Sequence, residues 1–444
     1  MFRKILIANR GEIALRIIRT CIEMGIKTIA VVSQADTNSL HGKMADECYC
    51  YDDPYIYMNI NEMVKLAKLC GAEAIHPGYG FQSENAIFSE ICENEGIKFI
   101  GPDHKTLDVT GNKTKAKKKA EEIGIPVLPG INILDLYNKT GSTQLDKFAY
   151  PALAKITNGG GGKGIKKISS PSELKDFLDK VNDINNIFIE KYIQKARHVE
   201  VQILADHYGN VIHLGERDCS IQRWNQKVIE ESPALNLPQH LVADLRKQAI
   251  KLAKSVGYKG AGTVEFIIDL ETGKYYFLEM NPRIQVEHPV TEMVTGIDLI
   301  KHQILVAMGE PLKYKQKDIQ LKGHSIECRI NAERPDTFLP SPGKISKLRF
   351  PGGPWVRLDT HIYEGYETPI YYDSLLAKLV IWGNSREEAI MRTERALRET
   401  YIEGIETLIP LHLFIIRHKK YRNLNIDTQF IKQILKSEYN TKLN

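Results

Sequence analysis

Short apolar runs alternate with amphipathic stretches through the first hundred residues. Lys4-Ile5-Leu6-Ile7-Ala8 reads as a strand, and residues 11–24 place Ile13, Ile17, Cys21 and Met24 at the spacing of one helix face. A strand over 29–33, a helix over 62–70, a short strand over 74–76, a helix over 84–94 and a β-run at 98–102 follow. Strands separated by helices predict a parallel sheet with ligands at the carboxyl ends of its strands. The polar turns at those ends are Asn9-Arg10-Gly11-Glu12 and His76-Pro77-Gly78-Tyr79-Gly80. Neither is a dinucleotide fingerprint, because the first has one glycine and the second lacks the third glycine that opens a helix.

A lysine-rich helix over 112–123 leads through Gly124 and Pro126 into a β-rich region, with strands at 150–156, 187–193 and 199–206. A helix over 238–256 and a hairpin over 262–281 come next. From residue 324 the pattern changes to short strands and Pro/Gly turns, ending in a helix over 386–401. Boundaries near 112 and 323 give three parts: a parallel α/β part (1–112), a central part (113–323) and a β-rich part (324–444). The class is mixed, α/β followed by α+β.

Composition narrows the function. Among 444 residues, a net charge of +5 is too dilute for a nucleic-acid binder. The one dense basic run, Lys115 to Lys119 around Ala116, reads as a solvated helix face. No apolar run reaches the roughly 18 residues of a membrane span, since the longest, 408–416, is broken by Pro410 and His412. The amino-terminal apolar stretch is too short for a secretory signal. Seven cysteines without Cys-x-x-Cys spacing argue against a zinc site or a disulfide frame and for a reducing cytoplasm.

Two stretches carry chemistry. Asn158-Gly159-Gly160-Gly161-Gly162-Lys163-Gly164 follows a strand ending near Lys155. Such a loop is either a mobile hairpin tip or a backbone cradle for phosphate, and a lysine placed just before it favours phosphate. It should be mobile when empty and close over a nucleotide. In the hairpin, a three-residue Glu271-Thr272-Gly273 turn sets Phe266 opposite Leu278, Val264 opposite Met280 and Glu265 opposite Glu279. Opposed carboxylates repel unless a cation separates them, and magnesium suits the pair. Glu279, Asn281, Arg283, Gln285 and Glu287 then fall two apart, so an extended segment points all five to one side. This order of amide, cation, amide and free carboxylate suits gripping a small oxyanion beside a metal-bound phosphate, with Glu287 as general base. His288 has the opposite parity and reads as structural. Cys219 reads either as a reactive thiol or as a packed small residue.

These residues resemble the biotin carboxylase family of the ATP-grasp fold, and the likeness runs nearly end to end. It is carried by Ile7-Ala8-Asn9-Arg10-Gly11-Glu12-Ile13-Ala14, by His76-Pro77-Gly78-Tyr79-Gly80-Phe81, by the glycine loop and by Arg197-His198-Val199-Glu200. Further on it is carried by Glu216-Arg217-Asp218-Cys219-Ser220, Arg283-Ile284-Gln285-Val286-Glu287-His288-Pro289, Glu327-Cys328-Arg329-Ile330-Asn331 and Tyr371-Tyr372-Asp373-Ser374. The resemblance implies a Rossmann-like first domain, an ATP-grasp domain with a lid at about 126–193, and a biotin carboxylase carboxyl-terminal domain.

It also implies roles. Lys113 and Lys155 would hold ATP phosphates under Gly160, Gly161 and Gly162. Glu190, Lys191 and Ile193 would line the adenine pocket, while His198, Gln222 and Asn225 would fix the rest of the nucleotide. Glu265, Glu279 and Asn281 would hold magnesium or manganese. Lys227, Arg283, Gln285 and the Val286 backbone would bind bicarbonate, and Glu287 would deprotonate it to form carboxyphosphate. Phosphate released from that species would take the proton of biotin, Arg329 would steady the enolate, and Tyr79 would border the biotin pocket. The chain carries no Ala/Val-Met-Lys-Met biotinylation motif, so the biotin carrier and carboxyltransferase are expected on other chains of an acetyl-CoA or pyruvate carboxylase, and a homodimer is expected. Neither nucleic acid nor membrane is an expected partner. Departures from the family are Ile156 for Ala, Trp224-Asn225 for Arg-His, Pro282 for Thr, Arg334 for Asp, and a poor match over 131–148. The competing readings are another ATP-grasp carboxylate ligase and a non-catalytic ATP-binding regulator.

Overall fold

The structure is a computed structural model that describes residues 1–133, 150–156, 165–180 and 187–439. The glycine loop at 158–164, with Gly160, Gly161 and Gly162, lies outside the described residues, as does most of the poorly matching 131–148 stretch.

The first part forms the predicted parallel sheet, in the order Glu47–Tyr51, Lys27–Ser33, Lys4–Ile7, Ala74–His76, Lys98–Phe99. Lys4–Ile7 is central, with Leu6 between Ile29 and Ile75, so both its faces are covered and its sequence reads as unbroken apolar residues. The outer strand Glu47–Tyr51 was not legible, because its side chains are largely exposed at the sheet edge and show no apolar alternation. The two polar turns meet at the carboxyl end, where Asn9 Nδ2 donates to the carbonyls of Pro77 and Tyr79, both at 2.7 Å. Gly78 has φ of +63°, and a Cβ there would sit 2.8 Å from Asn9 Nδ2, so this contact requires glycine.

An eight-stranded antiparallel sheet forms the body, in the order Tyr275–Asn281, Gly260–Asp269, Ala196–Ala205, Val211–Arg223, Gln226–Ser232, His324–Asn331, Leu375–Gly383, Val356–Thr360. It runs unbroken past residue 323, because Gln226–Ser232 pairs directly with His324–Asn331. Val199, Val201, Val264 and Phe266 pack on one face against Leu241 and Leu245 of the helix Gln239–Ser255. On the other face Arg217, Glu200, Glu265 and Glu279 are successive partners across four strands, a row of charge on a buried surface.

The hairpin differs from the prediction in an instructive way. Asp269 N–H donates to the Lys274 carbonyl at 2.8 Å, so the loop is the four residues 270–273 rather than three. That shifts the register by one and sets Phe266 opposite Phe277, not Leu278. A bulge at Leu278 shifts it back, restoring Val264 opposite Met280 and Glu265 opposite Glu279. A smaller sheet, ordered Gly130–Asn132, Ile187–Lys191, Ala152–Ile156, Ile165–Ile168, carries Lys155 and Glu190. Among the described residues no helix is long and apolar enough to cross a membrane.

Candidate active site

Residues 279–287 do converge, though not as one extended segment. The strand ends at Asn281, and Glu287 immediately precedes the helix His288–Thr295. Glu265 is the centre. It accepts from Asn281 Nδ2 at 2.9 Å, Gln285 Nε2 at 2.8 Å and Lys227 Nζ at 3.0 Å, and its other oxygen lies 2.8 Å from His198 Nε2. Opposite it, Glu279 pairs with Lys113 at 3.0 Å, and Asn281 Nδ2 reaches it at 3.4 Å. Burial alone would raise the Glu265 pKa, but Lys227 and His198 hold it well below the ordinary carboxylate value.

Lys227 is the second hub. Its Nζ lies 2.5 Å from Glu200, donates to Gln285 Oε1 at 3.0 Å and bonds Glu287. Glu287 also accepts from Arg329 Nη2 at 2.9 Å, while Arg329 Nε donates to Glu230 at 2.5 Å. Burial opposes ionisation of Glu287, yet Lys227 and Arg329 depress its pKa strongly. Arg283 donates to Glu84 at 2.6 Å and to Asn281 Oδ1 at 3.1 Å. His288 is buried, its Nδ1–H donates to the Gln285 carbonyl at 2.7 Å, and burial lowers its pKa well below the usual value, which is a structural role. Cys219 Sγ stands 4.0 Å from Glu287, and burial pushes its thiol well up, so it is a packed small residue rather than a thiolate.

Towards the glycine loop, Lys155 pairs with Glu190, whose other oxygen lies 3.3 Å from Lys117 Nζ. The basic run is therefore not a uniformly solvated face: Lys117 turns inward, its Nζ also 4.4 Å from the centre of the Phe188 ring. Lys115 does face solvent, on Asp108. The Lys191 N–H bonds the Pro129 carbonyl at 3.0 Å, and Ile193 is buried with Leu128 and Ala196. Gln222 Nε2 and His198 Nδ1 are 2.7 Å apart. Asn225 is exposed, sharing with Trp224 a two-residue turn at φ of 64° and 46° that closes Arg223 against Gln226. Among the described residues its side chain makes no hydrogen bond, so the structure does not bring it to the others. Tyr79 hydroxyl bonds Glu12, and Lys378 joins Glu12 to the Val286 carbonyl, both at 3.0 Å.

Sequence reasoning assigned no role to Glu200, Arg217, Lys117, Glu230 or Lys378. Glu200 and Arg217 were within reach, since His198, Glu200 and Gln202 alternate with Val199 and Val201. Glu265, Glu279 and the Asn281 amide oxygen are hard oxygen donors and could hold magnesium. His198, Glu200 and Glu265 also bring ligand atoms within 4.8 Å of one another, but the Lys227 ammonium already bridges the two carboxylates.

Three family models cover the chain: the biotin carboxylase amino-terminal domain (1–107), the ATP-binding domain of the carbamoyl-phosphate synthase L chain (112–315) and the biotin carboxylase carboxyl-terminal domain (327–433). Biotin carboxylase 1 of Bacillus subtilis (strain 168) is 49% identical over 97% of this chain and 98% of its own length. The chain belongs to the biotin carboxylase family. A pyruvate carboxylase subunit of Methanothermobacter thermautotrophicus is 46% identical over 98% of this chain and 90% of its own. The crystal structure of the biotin carboxylase domain dimer of Hydrogenobacter thermophilus 2-oxoglutarate carboxylase, in complex with MgADP, ADP and bicarbonate, is 45% identical, with a TM-score of 0.94 over 98% of each chain. Biotin carboxylases are ATP-dependent ligases that use ATP, magnesium, bicarbonate and biotin and work with a biotin carrier and a carboxyltransferase. The biotin carboxylase site here draws on all three matched segments, through Glu12, Tyr79 and Glu84, then Lys227 and Glu287, then Arg329.

Proposed function

We propose that the chain carboxylates biotin on a separate carrier protein, using ATP and bicarbonate, as a homodimeric component of an acetyl-CoA carboxylase. What carries this reading is Glu287, a buried carboxylate gripped from one side by Lys227 and from the other by Arg329. Glu287 takes the bicarbonate proton, and a bicarbonate oxygen then bonds the γ-phosphorus as the bond to ADP breaks, giving carboxyphosphate. A carboxylate held this far below its ordinary pKa is a weak base until its cations are drawn elsewhere. Bicarbonate supplies that change, because Lys227, Arg283 and Gln285 turn their donors to the incoming anion. Glu265, Glu279 and Asn281 hold magnesium, which neutralises charge on the nucleotide phosphates. Lys113, Lys117 and Lys155 meet those phosphates, with Glu190 holding the latter two in place. Carboxyphosphate breaks its C–O bond to give phosphate and CO2. That phosphate takes the N1 proton of biotin, Arg329, charged in any surroundings, pairs with the enolate oxygen, and N1 then bonds the CO2 carbon.

Supporting the division at about 112 and 323 are the ranges of the three family models. The resemblance to the archaeal pyruvate carboxylase component is nearly as close as that to the bacterial biotin carboxylase, so the same half-reaction in a pyruvate carboxylase is the second reading. ADP release with free biotin, with and without bicarbonate, tests the half-reaction, and indifference to both would remove it. Carboxyl transfer from the reconstituted carrier to acetyl-CoA or to pyruvate separates the two assemblies.

A further inference from the structure

Behind Arg329 lies a second pair of opposed glutamates. Glu230 and Glu327 are direct partners on neighbouring antiparallel strands, and both are wholly buried. Two carboxylates so placed repel unless a cation or a proton intervenes. Only one of them meets a cation: Glu230 Oε1 lies 2.5 Å from both Nε and Nη2 of Arg329. Among the described residues neither oxygen of Glu327 has a hydrogen-bond partner, nor has the second oxygen of Glu230. The charged groups facing Glu327 are Lys378, Glu230, Arg329 and Glu287. Lys378 is engaged by Glu12 and the Val286 carbonyl, and Arg329 by Glu230 and Glu287. Burial outweighs these cations and keeps the Glu327 carboxyl well above its usual pKa. Burial also raises the Glu230 carboxyl, but there Arg329, in direct contact, pulls it back towards the ionised form.

The geometry adds a direction. Glu230 holds the Nε–Nη2 edge of Arg329, Glu287 shares Nη2, and Nη1 has no partner among the described residues. Glu287 loses its negative charge when it takes a proton from bicarbonate, so its hold on Arg329 weakens just before the guanidinium is needed. Glu230 takes no part in that transfer. We propose that Glu230 is the positioning residue for Arg329, ionised throughout the cycle and fixing one guanidinium edge so that Nη1 faces the biotin oxygen, with neutral Glu327 behind it allowing that charge to persist. The inference rests on the reading of Arg329 as the partner of the biotin enolate.

The test is ADP release by E230Q with free biotin varied at saturating MgATP and bicarbonate. The expected result is a loss of about tenfold or more in kcat/KM for biotin, with KM for MgATP moved by less than about twofold. E230D, which keeps the charge, should recover part of the loss. An unchanged kcat/KM for biotin, or an equal loss for MgATP, would overturn the proposal. R329K separates the inference from the reading beneath it: R329K impaired with E230Q normal removes only the inference, whereas both normal removes the reading too. Should E230Q fail to fold, the infrared difference between the native chain and E327Q at neutral pH decides, because a protonated carboxyl band lost in E327Q is required and its absence overturns the proposal.

Discussion

Among the glutamates that face each other across antiparallel ladders of the eight-stranded sheet, the pairs Glu265–Glu279 and Glu230–Glu327 have opposite surroundings. Around Glu265 and Glu279 stand Lys113, His198, Lys227, Asn281 and Gln285, and the Glu279 side chain is 26% exposed. Glu230 and Glu327 are sealed in, and of the two only Glu230 meets a guanidinium. In the first pair Glu265 is held well below its ordinary pKa, and in the second Glu327 is held well above it. Opposed carboxylates therefore do not by themselves mark a cation site. The donors aimed at the pair decide whether its charge is held or a proton is taken up.

Glu287 stands between the pairs, tied to the first through Lys227 and to the second through Arg329. Glu287→Gln keeps the shape and removes the base, so bicarbonate- and biotin-dependent ADP release should fall about 10²- to 10⁴-fold while MgATP still binds. Unchanged turnover would mean the junction between the pairs is not where chemistry occurs. Glu279→Gln comes next. It halves the charge of the accessible pair, and the magnesium concentration for half-maximal turnover should rise about tenfold or more. A magnesium titration that overlays the native curve would make the two pairs chemically alike.

How much of this could be read from the residues depended on which face of the sheet was wet. The Glu265–Glu279 pairing came out right although two steps behind it did not, because the longer turn and the Leu278 bulge offset each other. The hydrophobic pattern fixes Val264 and Phe266 on the core side, and a bulge is the only way to satisfy both that pattern and the loop. Val211–Arg223 and Gln226–Ser232 gave no alternation because both their faces are buried, and with them went Arg217 and Glu230. Lys117 was lost in a run of identical side chains, where only tertiary packing on Phe188 and Glu190 tells it from Lys115. Glu327 opens the Glu327-Cys328-Arg329-Ile330-Asn331 motif, but nothing local shows that its carboxyl finds no partner.

The smallest expected effects sharpen the comparison through pH. Glu231, next to Glu230 but turned the other way, is gripped by Arg386 at 2.7 and 2.9 Å and lies 2.7 Å from His324. Burial would raise its pKa, but Arg386 and His324 depress it strongly. A depressed carboxyl contributes stability above the unfolded value of about 4.3 and loses it as pH falls through the folded value. Glu231→Gln should therefore cost about 3 kcal/mol near pH 7, with the gap closing on acidification. Glu327 has the opposite sign. With its folded pKa raised, the unfolded chain ionises first as pH rises past about 4.3, and the native chain loses stability from there upward. Glu327→Gln removes that penalty, so the variant should match the native chain in acid and gain on it towards neutral pH. Urea unfolding of both variants across this range gives two slopes, and slopes of the same sign would show that Glu327 is ionised in the fold.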